Sequence, residues 1–256
     1  MQKITKFLCG IIKQAAKMTT QPFNIYDKDA FGDVVTDIDK QVEAFLVGKL
    51  NQKYPDFEIV SEEYNPDHKL TNNCFIIDPI DGTKNFAAGI PLWGMQMAAI
   101  QDGEVIASVI YLPKIDELYY ADCNGAFLNG KPLAMSEAIR NQRPIYGVEG
   151  GEKFPALIQL EKEVNRNFRY FSSSSVGYAW TAAGRMSGFS FRKDTKWDYI
   201  PGIYLVKMAG GCVIDQPGLH VGATNEKMLQ ILSKYPEDNK EKPAPAKTAT
   251  RAKTKN

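Results

Sequence analysis

Residues that carry transition-metal or covalent chemistry are scarce in this sequence. It contains two histidines and four cysteines among 256 residues, and no two cysteines form a C-x-x-C pair. Cys74, Cys123 and Cys212 lie in or near apolar runs, so we expect buried thiols in a reducing compartment and neither disulfides nor a zinc site. A histidine-based metal site or catalytic triad is also disfavoured, because His68 and His220 lie in polar or glycine-rich contexts.

Long hydrophobic runs and a strong net charge are missing as well. The longest early apolar run, 7–12, is too short to span a bilayer and lacks a convincing cleavage site, so we expect a cytoplasmic protein without membrane contact. The net charge of +1 gives no overall signal for nucleic acid or an anionic membrane. Residues 239–256 carry six basic residues and one acid, so this tail is at +5 and the remaining chain, at −4, is suited to binding cations.

The length allows one large domain or two coupled lobes, and no internal repeat divides the chain. We expect a single domain over residues 1–238, with an N-terminal α+β lobe over about 1–140 and a C-terminal α/β lobe over about 141–238. The tail over 239–256 contains no large apolar residue and is rich in Lys, Ala, Thr and Pro, so we expect it to be disordered.

Apolar periodicity predicts alternating helices and strands, with an antiparallel sheet of hairpins over 94–130. Thr36 is the expected N-cap of the second helix, residues 18–32 are expected to form a loop, and Pro79 should break strand pairing. The expected helices are about 3–17, 37–52, 175–187 and 199–209, and the expected strands are 57–60, 74–77, 95–100, 105–111, 117–121, 125–128, 188–192 and 212–214.

The most informative stretch, 78–83, reads Asp-Pro-Ile-Asp-Gly-Thr and follows an apolar strand. Two carboxylates three residues apart at a broken strand end can point into one cavity, and carboxylates are the ligands that hard divalent cations prefer. Gly82 and Thr83 then open a helix whose free N–H groups can hold phosphate oxygens. This combination is suited to metal-assisted hydrolysis of a phosphate monoester.

Each acid also has a purely structural explanation. Asp81 can cap a short helix after an Asp-Gly turn, Asp198 can be the N-cap of the helix that follows it, and Asp39 can be only a capping acid. The neighbouring pair Glu62 and Glu63 can be ordinary surface residues. Taken singly, each acid fits the structural explanation better, and only their combination favours a catalytic site.

Four segments carry the decisive pattern: 33–39 (DVVTDID), 59–63 (IVSEE), 76–86 (IIDPIDGTKNF) and 197–202 (WDYIPG). Together with the shorter elements Gly125-Ala126-Phe127, Asn129-Gly130 and Ala209-Gly210-Gly211, they closely resemble the inositol monophosphatase family, in order from about residue 26 to 218. The resemblance implies an αβαβα sandwich of the inositol monophosphatase/fructose-1,6-bisphosphatase type, a homodimer, and Mg2+-dependent phosphatase activity with two or three ions, for which Mn2+ can substitute.

The resemblance also implies a set of metal ligands. Glu62, Asp78 and the backbone carbonyl of Ile80 would hold a first ion, and Asp78, Asp81 and Asp198 a second. Glu62 would also reach a third, weaker ion through water. Metal-activated water would attack phosphorus directly, without a phosphoenzyme.

Further roles follow from the same resemblance. Thr83, hydrogen-bonded to Asp39, would orient and help to deprotonate the attacking water, with Glu62 as a further catalytic residue. The N–H groups of Gly82 and Thr83 would cradle the phosphate. Lys28 stands where the family often has a lysine near the site, although a solvent-exposed lysine is the simpler explanation.

The substrate side departs from the family pattern. Inositol-specific members place a glutamate seven residues before the Trp-Asp aspartate, where this chain has Phe191, and 172–175 is a run of serines. Arg192, Lys193 and Lys196 either recognise a second anionic group, as on fructose 1,6-bisphosphate or 3′-phosphoadenosine 5′-phosphate, or are solvated loop charges. The candidate substrate contacts are Asp81, Ser174, Phe191, Arg192 and Lys196.

Two other classes of function remain to be weighed. Some members of the family act through protein or RNA contacts, and the basic tail over 240–256 is suited to weak contacts of this kind. A calcium-binding structural module is disfavoured because the acids are dispersed and form no EF-hand loop. The expected partner is therefore a small phosphorylated metabolite.

Overall fold

The computed structural model describes residues 1–28, 34–133, 135, 144–149 and 167–233, and all structural statements concern these residues. They form two large sheets and one two-stranded ribbon. Among the described helices none is long and apolar enough to cross a membrane. The predicted disordered tail lies outside the described residues, and so does Asp33.

The first sheet has seven strands in the order β3-β4-β5-β6-β7-β8-β9. Its strands β3 and β4 run parallel, and every later neighbouring pair is antiparallel. The strands are Glu58–Ser61 (β3), Cys74–Asp81 (β4), Gly94–Gln101 (β5), Glu104–Leu112 (β6), Glu117–Asp122 (β7), Gly125–Leu128 (β8) and Lys131–Pro132 (β9). The hairpins predicted over 94–130 are confirmed.

The second sheet has the order β11-β10-β12-β14-β13, and the ribbon pairs β1 with β2. Strand β10 is parallel to both of its neighbours, and β14 is antiparallel to both of its own. The strands are Ile25–Asp27 (β1), Val34–Thr36 (β2), Tyr146–Glu149 (β10), Phe168–Arg169 (β11), Gly188–Phe191 (β12), Cys212–Gln216 (β13) and Leu219–Ala223 (β14).

Six α-helices and two 3-10 helices complete the described part of the chain. The 3-10 helices are Lys17–Thr20 and Pro113–Ile115. The α-helices are Lys3–Ala16 (α1), Asp37–Lys53 (α2), Thr83–Ala87 (α3), Ser174–Ala182 (α4), Lys196–Met208 (α5) and Glu226–Ser233 (α6).

The helices and sheets alternate in layers. Helices α1 and α2 pack together on one face of the first sheet, where Leu8, Ile12 and Leu46 are completely buried with the apolar side chains of β4 and β5. Helices α4 and α5 lie between the two sheets, and α6 covers the second sheet through β14. This is the αβαβα sandwich that the resemblance implied. It arises because each sheet must bury apolar residues against helices.

Several boundaries differ from the sequence predictions. Strand β4 continues through Pro79 to Asp81, α4 ends at Ala182 where a helix to 187 was expected, and α5 begins at Lys196. The expected loop over 18–32 contains a 3-10 helix and β1, and the two elements β14 and α6 after residue 218 were not predicted. Helix α4 ends early because Gly184 adopts a left-handed conformation at φ 69°, and Arg185 N–H donates back to the Trp180 carbonyl, as in a glycine C-cap.

Candidate active site

Strand β4 ends in a bulge that brings its two aspartates to one place. Its register against β5 shifts between Asp78 and Asp81, because Pro79 has no N–H to donate to the ladder. Gly82 follows at φ 87°, and a Cβ atom there would lie 3.0 Å from the Ser172 carbonyl oxygen. Only glycine fits this left-handed turn into α3 without displacing its neighbour.

Asp198 comes from the first turn of α5, at its third residue. The N-cap is Thr195, whose hydroxyl donates to the Asp198 carboxylate. The structural alternative in which Asp198 caps the helix is therefore wrong. Its carboxylate instead meets the two aspartates of β4.

Three carboxylates converge as a result. Asp78, Asp81 and Asp198 each offer an oxygen atom, and these atoms lie within 4.8 Å of one another. Asp78 and Asp81 are buried, and Asp78 Oδ1 has no hydrogen-bond partner among the described residues. Burial and the neighbouring carboxylates raise the pKa of Asp78 and of Asp198 well above the usual range. An all-oxygen donor set with an orphaned buried oxygen fits a hard divalent cation.

The serine run holds Asp81. Its carboxylate accepts hydrogen bonds from the hydroxyls of Ser173, Ser174 and Ser175 and from the backbone N–H groups of Ser174 (3.1 Å) and Ser175 (2.8 Å). Ser174 Oγ also accepts from Gln96 Nε2 at 3.1 Å. The predicted substrate contact Ser174 therefore lies at the site as a partner of Asp81.

Glu62 lines the same pocket, although it is not one of the three residues whose oxygen atoms lie within 4.8 Å of one another. Its carboxylate lies 2.8 Å from the Lys28 ammonium, which also pairs with Glu63. Desolvation raises the pKa of Glu62 to about 7, although the Lys28 charge opposes the shift. Lys28 is an exposed residue, as the simpler explanation expected, and it reaches the site through its ion pair with Glu62.

A buried carboxylate of α2 supports this loop. Glu43 accepts hydrogen bonds from the backbone N–H groups of Glu63 and Tyr64, both at 2.9 Å. The Glu43 side chain is completely buried, and its burial raises its pKa. Sequence reasoning missed this residue, because nothing in the helical pattern distinguishes it from a surface glutamate.

Thr83 and Asp39 meet as predicted. Thr83 Oγ1 lies 3.1 Å from Asp39 Oδ1 and 3.0 Å from the Ile80 carbonyl oxygen, with either as its acceptor. Asp39 also accepts from the Thr36 N–H and hydroxyl in a capping box. Burial raises the pKa of Asp39, while its hydrogen bonds lower it. The capping and catalytic explanations of Asp39 are therefore compatible.

These groups surround one pocket of about 180 Å³. It brings together most of the predicted site: Glu62, Asp78, Ile80, Asp81, Gly82, Thr83 and Asp198. It adds Lys84, Glu149, Tyr170, Ser172 and Lys193. Lys84 and Lys193 contribute the positive charge of the lining, and Glu149 contributes a further carboxylate.

The sequence profile of the inositol monophosphatase family matches residues 1–246. The chain belongs to the inositol monophosphatase family. By this membership and its acidic cluster it is a metal-dependent phosphomonoesterase.

Relatives of this family member carry different names. A Thermotoga maritima protein named fructose-1,6-bisphosphatase/inositol-1-monophosphatase is 31% identical over 208 residues, 80% of either chain. A putative Nus factor SuhB of Neisseria meningitidis is 31% identical over 229 residues, 82% of this chain and 88% of its own. An IMPase/NADP phosphatase, solved with Mg2+ and phosphate, has the same fold with a TM-score of 0.78 at 20% identity, covering 91% of this chain and 96% of its own.

Four of the five candidate substrate contacts lie outside the pocket lining of this phosphomonoesterase, and one of them is Ser174, which is completely buried beside Asp81. Phe191 is 2% exposed and packs in the core between the sheets. Arg192 donates to the Leu232 carbonyl at 3.3 Å, and Lys196 donates to the His68 carbonyl at 3.2 Å. The structure therefore brings Lys193, and neither of the flanking basic residues, to the acids.

Glu149 is one of the lining residues that sequence reasoning missed, together with Lys84 and Tyr170. It falls in 144–170, where the pattern is weak, and only its place at the end of β10 could have indicated a site residue. Asp78 gives the same signal, a carboxylate near the end of a buried strand.

Proposed function

We propose that this phosphomonoesterase hydrolyses a small, singly phosphorylated polyol or sugar, with Mg2+ held by Asp78, Asp81 and Asp198. The observation that supports it most is the convergence of three carboxylates within 4.8 Å beside the glycine turn into α3. Glu62 and the Ile80 carbonyl line the same pocket and are proposed as further ligands. The pocket of about 180 Å³ suits a small metabolite.

The proposed chemistry assigns each group a task. Bound divalent ions neutralise charge on the phosphate and stabilise the leaving oxygen. Gly82 and Thr83 supply backbone N–H groups to the phosphate oxygens, because the first N–H groups of a helix have no intrahelical partner. Thr83 Oγ1 accepts a hydrogen bond from the attacking water while it donates to Asp39 Oδ1, so a proton can pass along this pair.

Phosphate release tests this function. The purified protein is assayed over a panel of small phosphate esters, with and without Mg2+, together with Asp78→Asn and Asp198→Asn. We expect both variants to lose at least about 100-fold in kcat, because each removes charge from the cation site. Asp102→Asn is the matched control, because Asp102 is exposed in the β5–β6 turn at φ 54°, a conformation that asparagine tolerates. Full Mg2+-dependent turnover in both site variants contradicts the proposal.

A bisphosphate substrate is the second candidate. Lys84 and Lys193 line the pocket, and either ammonium can bind a second phosphate. Comparing inositol 1-phosphate and histidinol phosphate with fructose 1,6-bisphosphate and 3′-phosphoadenosine 5′-phosphate separates the candidates. A clear preference for a neutral, singly phosphorylated polyol excludes the second one.

We also propose that the protein is a homodimer and that its basic tail has a regulatory role. The homodimer is tested by sedimentation of the purified protein. A regulatory role of the tail over 239–256 is tested by deleting it: unchanged phosphatase activity with a lost cellular effect means that both functions coexist.

A further inference from the structure

Glu149 is a carboxylate at the active site that the proposed chemistry does not use. It is the last residue of β10 and lies in register beside Phe191 of the parallel strand β12. Its side chain lines the pocket that contains the three aspartates, but it is not part of their metal-binding group. Nor does it contact Thr83 or Asp39 in any hydrogen bond of the described residues.

The Glu149 carboxylate is incompletely satisfied. Its Oε2 atom is buried and has no hydrogen-bond partner among the described residues. A buried carboxylate oxygen without a donor costs free energy, and native proteins keep such groups mainly where a bound molecule supplies the donor. The position therefore points to a ligand group that donates a hydrogen bond.

The surroundings define the chemistry of that ligand. Tyr170 and Ser172 add hydroxyl groups to the same lining, and Lys84 and Lys193 add its two ammonium groups. A carboxyl oxygen accepts a hydrogen bond from a hydroxyl group, whereas an ester phosphate oxygen offers it no donor. The position beside Glu149 is therefore suited to a hydroxyl of a neutral alcohol portion and not to a second phosphate.

We propose that Glu149 is a specificity-determining residue that accepts a hydrogen bond from a hydroxyl of the substrate's alcohol portion. The inference rests on the proposed function and narrows its substrate class to singly phosphorylated polyols. Glu149 then determines which ester is preferred. It should have no effect on the hydrolysis of an ester whose alcohol portion carries no hydroxyl group.

The experiment compares two esters in Glu149→Ala and Glu149→Gln. The first ester is a polyol phosphate, chosen from inositol 1-phosphate, glycerol 1-phosphate and ribose 5-phosphate as the one that the unaltered protein hydrolyses with the highest kcat/KM. The second is phenyl phosphate, which has no hydroxyl group on its phenyl ring. We expect Glu149→Ala to lower kcat/KM for the polyol phosphate by about 10- to 100-fold, the usual cost of losing a hydrogen bond to a charged group. The value for phenyl phosphate should stay within about twofold. Glu149→Gln, which keeps an acceptor oxygen, should lose less.

Glu104→Ala is the matched control, because Glu104 is exposed at the start of β6 and does not line the pocket. Thermal unfolding of all variants checks that they fold. An equal loss for both esters, or an unchanged ratio of their kcat/KM values, overturns the inference.

A binding measurement separates this inference from the proposed function. Calorimetry of myo-inositol with the protein in Mg2+ and phosphate should show binding that Glu149→Ala weakens by a similar factor and Glu104→Ala does not. If no ester is hydrolysed, the proposed function fails while this binding difference still supports Glu149. Equal inositol binding by all variants, or none by any of them, overturns the role of Glu149.

Discussion

Gly82 offers a sharp test of how the backbone builds the site. Substitution by alanine places a side chain at φ 87°, which costs about 1 to 2 kcal/mol for an L-residue in the left-handed region. The added Cβ atom would also lie 3.0 Å from the Ser172 carbonyl oxygen and 3.1 Å from Ser173 Cβ. Relieving such overpacking typically costs a further 1 to 3 kcal/mol, roughly. Because Ser173 also holds Asp81, the movement should disturb the carboxylate cluster.

Gly210 provides an unusually close control. It has the same φ of 87°, but a Cβ atom there would meet nothing within 4 Å. Gly210→Ala should therefore carry the backbone cost without the contact cost. The difference between the two variants isolates the contact with the serine run.

The assays are urea unfolding and magnesium-dependent phosphate release. We expect Gly82→Ala to be less stable than Gly210→Ala by about 1 to 3 kcal/mol. Only Gly82→Ala should also lose activity and magnesium affinity. Equal stability and equal activity in the two variants would refute the reasoning, because the contact with the serine run would then be without effect.

Three further outcomes follow from the site. Thr83→Ala should lower kcat by about 100-fold or more with little change in KM, whereas Thr83→Ser should retain most activity; steady-state kinetics of both variants decide this. Because the pKa of Glu62 is raised from 4.5 to about 7, the folded protein binds more protons than the unfolded chain, so without metal its stability should fall as pH rises across this interval. Urea unfolding at several pH values should show this fall in the free energy of unfolding, and added Mg2+ should make the fall smaller. Glu43→Ala leaves the N–H groups of Glu63 and Tyr64 without their acceptor, so it should lower the free energy of unfolding by about 2 to 4 kcal/mol and weaken magnesium binding. Urea unfolding and calorimetry measure these two effects. Unchanged values of both exclude a supporting role for Glu43.

Local sequence signals predict the parts of the fold that depend on local chemistry. Thr36 is the N-cap as expected and forms a capping box with Asp39, and the Asp-Gly turn at 102–103 joins the expected hairpin. The break in pairing at Pro79 is confirmed as a register shift, although the strand itself continues to Asp81. Proline removes one ladder hydrogen bond, but packing on both faces of a completely buried strand keeps its extended conformation.

The site was predictable where its acids belong to ordered motifs. Asp78, Asp81 and Asp198 were found because the strand-end and Trp-Asp segments resemble a family, and not because spacing shows that 81 and 198 meet. Glu149 and Glu43 could not be found in this way. Their roles depend on tertiary contacts, the placement of β10 beside β12 and the packing of α2 under the Glu63 loop, which no local pattern encodes.

The serine run shows the same limit. From sequence, Ser174 was a candidate for contact with the substrate. In the fold Ser173 is the N-cap of α4 and the next two serines begin the helix, and all three hydroxyl groups donate to Asp81, as do the N–H groups of Ser174 and Ser175. A helix start that supplies several donors to one carboxylate is a tertiary arrangement, because the donors and the acceptor are more than 90 residues apart in the chain.

The central claim is that three carboxylates from two distant segments hold a divalent cation. Anomalous diffraction from crystals of this protein soaked with Mn2+ and phosphate tests it most directly. The account predicts a strong anomalous peak at coordination distance from the carboxylate oxygens of Asp78, Asp81 and Asp198, absent in Asp78→Asn. No peak at these oxygens in the unaltered protein, or a peak bound only by other groups, would contradict it.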